Sequence, residues 1–95
     1  MSASNPQTPD KFTDGNIIKL IKDSDFDEIP KGTYGSIWGV YNMNPTQYEA
    51  TFYAADGEEY YYIFNAEDAD LASINDVEDE NLKKWHHDFF GDNQK

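Results

Sequence analysis

Asp56-Gly57 stands between two runs of aromatic and β-branched residues, and this dipeptide constrains the chain more than any other feature. Glycine accepts the positive φ of a tight turn, so the flanking runs are expected to pair as an antiparallel hairpin. Before the turn, Tyr48, Ala50 and Phe52 alternate with Glu49, Thr51 and Tyr53, the period of two of a half-buried strand. After it, residues 60–64 return. Upstream, Gly32 and Gly35 flank a bend from which Ile37, Trp38 and Val40 start another strand. That strand is expected to stop in the polar turn 42–46, where Pro45 fixes φ and removes a donor.

The remaining segments attach to this stretch. Residues 1–11 form a polar tail without periodicity, expected to be disordered, with Phe12 as the first anchor. Residues 16–22 (N-I-I-K-L-I-K) predict a first strand with Ile18 and Leu20 toward the core and Ile17, Lys19 and Ile21 toward a more open side. A single helical turn is the competing reading, disfavoured by the shortness and β-branching of the run. The acidic loop 23–28 follows, with Phe26 turned inward. After the hairpin, Leu71 is the expected inward plug, and a short strand or 3₁₀ turn over 71–74 is expected to complete a barrel. Asn75 or Asp76 is the expected N-cap of one helix. Leu82, Trp85 and Phe89 stand at i, i+3 and i+7 as its docking stripe. Acids at 78–80 and Lys83, Lys84, His86 and His87 later in the helix complement its dipole, and Gly91 ends it. The expected organisation is a tail over 1–11, a β domain over 12–75 and a helix over 76–90 docked on it.

A hydrophobic strand, an acidic loop, I-P-K-G-T-Y-G-S-I, a polar turn, Y-E-A-T-F, D-G-E and an aromatic strand together resemble an SH3-like small barrel. The pattern, over about residues 15–72, is similar to an uncharacterised bacterial domain family (domain of unknown function 4926). It also resembles the glycine-strand element of KOW-type barrels, with Gly35 and Ile37 matching the glycine and the following aliphatic. The resemblance implies a mainly β fold: an SH3-like small antiparallel barrel of about five strands with one C-terminal α-helix. KOW-type barrels that bind nucleic acid usually carry basic loops, whereas loops 23–28, 56–59 and 67–70 are acidic here. The likeness therefore supports the barrel and not that function.

Charge narrows the function classes. Nineteen acids against seven bases give a net charge of −12, which disfavours direct binding to nucleic acid or anionic membrane and favours a basic partner. Solubility is the bland alternative for that acidity. No cysteine is present, so disulfides, thiolate metal sites and a cysteine nucleophile are excluded. The start of the chain shows neither a basic n-region nor an apolar h-region, and no apolar run nears the roughly 20 residues of a membrane span. A cytoplasmic location is the expectation. The D-x-D-x-D run at Asp23, Asp25 and Asp27 invites a calcium reading, but Glu28 stands where the loop needs Gly and Tyr34 where it needs a bidentate Glu. His86 and His87 point about 100° apart on a helix, too divergent for one metal, and are expected to be solvated. No spacing implies a catalytic pair, so no enzyme activity, metal or cofactor is expected.

The expected contact patch is Asp56, Glu58, Glu59, Tyr61, Glu67, Asp68 and Asp70, around the hairpin and its exit. Acids ringing a tyrosine suit a tight interface with a basic protein. The leading expectation is an inhibitory binding protein, an immunity protein or antitoxin that blocks a basic toxin, most simply a nuclease, acting as a monomer or weak dimer. The alternative is an SH3-like peptide-binding or assembly module using Tyr34, Trp38 and Tyr41.

Overall fold

The computed structural model describes residues 11–91. The tail expected over 1–11 lies outside them except for Lys11. Five strands, β1 (Ile17–Leu20), β2 (Tyr34–Tyr41), β3 (Gln47–Tyr53), β4 (Glu59–Asn65) and β5 (Ala69–Ala72), precede one helix, α1 (Glu80–Phe90). They form one antiparallel sheet in the order β4-β3-β2-β1-β5. The fold is mainly β and barrel-like, as expected, but β4 and β5 do not pair, so the sheet stays open. A 3₁₀ turn over Ala66–Asp68 carries the chain from one edge strand to the other.

The hairpin forms where Asp56-Gly57 places it. Gly57 has φ 90° and its N–H donates to Ala54 O at 2.8 Å, while Asp56 Oδ1 accepts from Glu58 N at 2.9 Å. Glycine is required there because an L side chain disfavours that φ. Gly35 is required for another reason: a Cβ on it would lie 2.5 Å from Phe52 Cε2 across the β2–β3 pair. Between Ile37 and Gly39 the β2–β3 register slips, so Trp38 is an extra residue and the strand bends.

The inner face of the curled sheet holds the main core. Ile18, Leu20, Ile37, Tyr48, Ala50, Phe52 and Phe64 are buried there with Phe12 and Ile29. Phe12 anchors the N-terminal segment edge-on to Tyr48 at 5.1 Å. Lys11 adds a strap: its Nζ donates to Ala66 O at 3.1 Å and Ala69 O at 3.0 Å. The outer face carries a second core under α1, made by Ile17, Val77 and Leu82.

Three expectations are corrected here. Ile17 is not on an open side, because Val77 and Leu82 cover it, whereas Lys19 and Ile21 are exposed as expected. Leu71 is no inward plug. It lies on an edge strand with a neighbour on one side only and is 62% exposed, while Ala69 makes the buried contact. The helix starts later than Asn75 or Asp76 allow. Ile74–Asp76 is a separate 3₁₀ turn capped by Ser73, Val77 is buried in extended backbone, and Asp79 caps α1 by accepting from Asn81 N at 2.8 Å. Gly91 ends it as expected, its N–H donating to His87 O.

The docking stripe also turns. Leu82 is buried, but its inward partner is His86 at i+4, and Phe89 is exposed, stacked on Trp85 at 4.8 Å. His86 Nδ1 lies 2.7 Å from Ser36 Oγ on β2, and both side chains are buried. Burial holds the His86 pKa below its ordinary value, because the cation is poorly solvated there.

Candidate functional site

Alternation along β4 fixes its two faces. Tyr60, Tyr62 and Phe64 point inward, and Tyr61 and Ile63 point outward and are exposed. β4 is also an edge strand, so its tyrosines border solvent. The acidic loop between β1 and β2 packs against the same strand through Phe26, whose ring centroid is 5.1 Å from that of Tyr60 and 6.0 Å from that of Tyr62. Ser24 shapes the loop, its Oγ donating to Ile29 O at 2.7 Å and accepting from Phe26 N at 3.0 Å.

That packing brings distant acids together. The Tyr60 pKa is raised by burial and then by the fields of Glu28, Glu58 and Asp56, with a hydrogen bond to Glu28. Tyr62 is raised by burial and by Asp25 and Asp68, against a lowering contribution from an Asp25 backbone hydrogen bond. On the outer face, Tyr61 is raised by its hydrogen bond to Glu59, by that carboxylate's charge, by burial and by Glu49. Tyr53 is pushed up to about 12 by burial first, then by the hydrogen bond its hydroxyl donates to Glu59 at 3.1 Å and by nearby charge including Asp79. Tyr41 donates to Glu49 at 2.6 Å, and that bond leads the upward shift of its pKa. Burial leads the shift at Tyr53, Tyr60 and Tyr62 and a carboxylate hydrogen bond at Tyr41 and Tyr61, and nearby carboxylates add to all five.

Four lysines pair with other acids. Lys11 pairs with Asp70 and Lys22 with Asp68 (each 3.6 Å), Lys83 with Glu80 at 3.5 Å and Lys84 with Asp88 at 2.8 Å. No lysine ion pair between described residues reaches Asp25, Glu28, Glu49, Asp56, Glu58 or Glu59.

The seven expected contact residues therefore divide. Asp56, Glu58, Glu59 and Tyr61 gather at the hairpin end of β4. Glu67 and Asp68 lie on the turn after the strand and Asp70 on β5, roughly 20 Å along a seven-residue strand from the first group. Asp68 and Asp70 each face a lysine. Asp25 and Glu28 bridge the two groups. These two, with Glu49 and Tyr60, were missing from the expectation because their approach depends on Phe26 packing and on strand pairing far apart in sequence. An inward phenylalanine within an acidic loop was the available signal, since it needs an aromatic partner.

Other constellations resolve differently. Ser36 and His86 have the separation of a nucleophile and its base, but they are closed under α1 and hold the helix to the sheet. Tyr34 borders a hollow near the start of α1, Trp38 a second hollow beside Phe12, and Tyr41 neither. Among the described residues, no three His, Asp or Glu side chains are placed to hold a metal ion, and no helix is long and apolar enough to cross a membrane. Compared with family models, curated proteins and solved structures, the chain gives no match.

Proposed function

We propose that the chain is a non-catalytic inhibitory binding protein of the cytoplasm, an immunity protein or antitoxin that blocks a basic toxin domain with nuclease activity. One observation carries this reading: carboxylates that no lysine ion pair between described residues reaches converge on the tyrosines of an exposed edge strand, while Lys11, Lys22, Lys83 and Lys84 pair with acids elsewhere. A site that holds phosphates also accepts an ordered array of carboxylates, so such a surface can occupy a nuclease cleft by charge and shape. Tyr60 and Tyr61 add rigid, amphipathic area of the kind that anchors interfaces. The working patch is Glu28, Asp56, Glu58, Glu59, Tyr60 and Tyr61.

The test is inhibition of a basic nuclease domain encoded beside this chain's gene, followed as cleavage of a fluorescent oligonucleotide. Stoichiometric inhibition is expected, reduced at least tenfold in affinity by the combined changes Glu28→Gln, Asp56→Asn and Glu58→Gln, since one tenfold step needs only about 1.4 kcal/mol. Undiminished nuclease activity with excess wild-type protein contradicts the proposal.

A further inference from the structure

We infer that the free edge of β4 receives an extended, basic segment of the partner, which adds beside it as a further antiparallel strand. The inference rests on the reading above and adds how the partner is held, main chain to main chain along the edge of the sheet.

The register decides which backbone groups are free. Ala54 N–H donates to Glu58 O at 2.9 Å, which starts the β3–β4 ladder at that pair. Hydrogen-bonded pairs alternate along an antiparallel ladder, so Phe52–Tyr60, Ala50–Tyr62 and Tyr48–Phe64 bond in turn. Glu59, Tyr61 and Ile63 therefore turn their N–H and C=O groups away from β3. No hydrogen bond between described residues reaches those groups. The acidic loop meets β4 through the rings of Tyr60 and Tyr62 on the inner face, not through this edge. The opposite edge differs. On β5, Ala69 O already accepts from Lys11 Nζ at 3.0 Å, and Asp70 faces the same lysine.

The two faces of β4 select the occupant. On the outer face Tyr61 and Ile63 are 55% and 47% exposed, and Trp38 stands edge-on to Tyr61 at 5.7 Å. A residue paired opposite Tyr61 or Ile63 lies on that same apolar face. The residues between them lie on the inner side, where the charges of Glu28, Asp56 and Glu58 act on Tyr60. No lysine ion pair between described residues reaches those three carboxylates. A strand that alternates apolar and basic residues therefore matches both faces, and its backbone supplies the missing donors and acceptors. A second copy of this chain matches poorly. Each copy carries a net charge of −12 and would bring its own β4 acids to the shared edge.

The experiment titrates full-length ¹⁵N-labelled protein with acetyl-Lys-Val-Lys-Val-Lys-Val-Lys-amide, following amide shifts and hydrogen exchange. Saturable shifts are expected at Glu59, Tyr61 and Ile63, with exchange of those amides slowed by about tenfold or more at saturation. Modified peptides test the pairing itself. N-methylation of the valines removes the donors that face β4 and should weaken binding by about tenfold or more. N-methylation of the lysines, whose N–H groups face solvent, should change it by less than about threefold. Glutamate in place of every lysine should abolish the shifts. Equal effects of the two methylations, saturable binding of the glutamate peptide or shifts that avoid β4 overturn the inference. Shifts at the same amides that grow with protein concentration alone identify a second copy and overturn it too. Because no toxin is used, failure here leaves inhibition by the carboxylate patch standing, and failure of inhibition leaves strand addition by a basic segment standing.

Discussion

Gly35 and Phe52 face each other across β2 and β3, and replacing either by alanine should cost stability for opposite reasons. In Gly35→Ala the new methyl would meet Phe52 ring carbons at 2.5, 2.7 and 2.8 Å. Neither strand can retreat, because both are paired on each side. Overpacking of this kind costs about 1–3 kcal/mol, which exceeds the roughly 0.4–1 kcal/mol gained by restricting the unfolded chain. In Phe52→Ala a fully buried ring is lost, together with its edge contacts to Tyr62 at 6.2 Å and Phe64 at 6.3 Å. The cavity costs about 3–5 kcal/mol, a large share of the stability of a small domain. The double variant is the informative one. The alanine methyl then enters space the ring vacated, so the combined loss should fall short of the sum by about 1–3 kcal/mol. Urea denaturation followed by far-UV circular dichroism measures all three, a loss of about 3 kcal/mol moving the midpoint by roughly 1–3 M. If Gly35→Ala is neutral, or the two losses simply add, the close packing of ring on glycine is refuted. A cycle built with Phe52→Leu keeps the comparison in range if Phe52→Ala unfolds.

Three further outcomes are expected. The His86 pKa is lowered in the folded state, so as pH falls below about 6.5 the unfolded chain takes up the proton first and stability declines until folded His86 titrates. The urea midpoint of wild type should therefore drop more between pH 7.5 and 5 than that of His86→Gln; equal drops would remove His86 from the account. In an alkaline absorbance titration, Tyr53 should ionise near 12, and Glu59→Gln should lower that value; since the folded pKa is raised, stability is lost as pH rises from about 10. Ile17→Ala should cost about 2–5 kcal/mol and Leu71→Ser less than about 0.5 kcal/mol, measured by the same melts; the reverse order would invert the burial of β1 and β5.

Local chemistry made much of the fold legible. Asp56-Gly57 places a hairpin wherever the flanking runs alternate, and Tyr48, Ala50 and Phe52 declare their face by period two. Burial that depends on a later segment was not legible. Ile17 reads as half-open until α1 covers it, and His86 reads as solvated until the helix turns it onto Ser36. The candidate site divides in the same way. Its hairpin acids are adjacent in sequence, whereas Glu28 and Asp25 join them only because Phe26 lies on Tyr60 and Tyr62. Net charge showed that a negative surface must exist, but the positions of the lysines decide where it is uncompensated.

The most direct measurement compares association rates with the basic nuclease domain for two variants of equal charge change, across ionic strength. One removes Glu28, Asp56 and Glu58 as Gln, Asn and Gln; the other removes the lysine-paired Asp70, Glu80 and Asp88 as Asn, Gln and Asn. The account predicts that only the first slows association by about tenfold or more at low salt and flattens its salt dependence. Equal slowing by both variants would show that net charge, not the carboxylates gathered at β4, captures the partner.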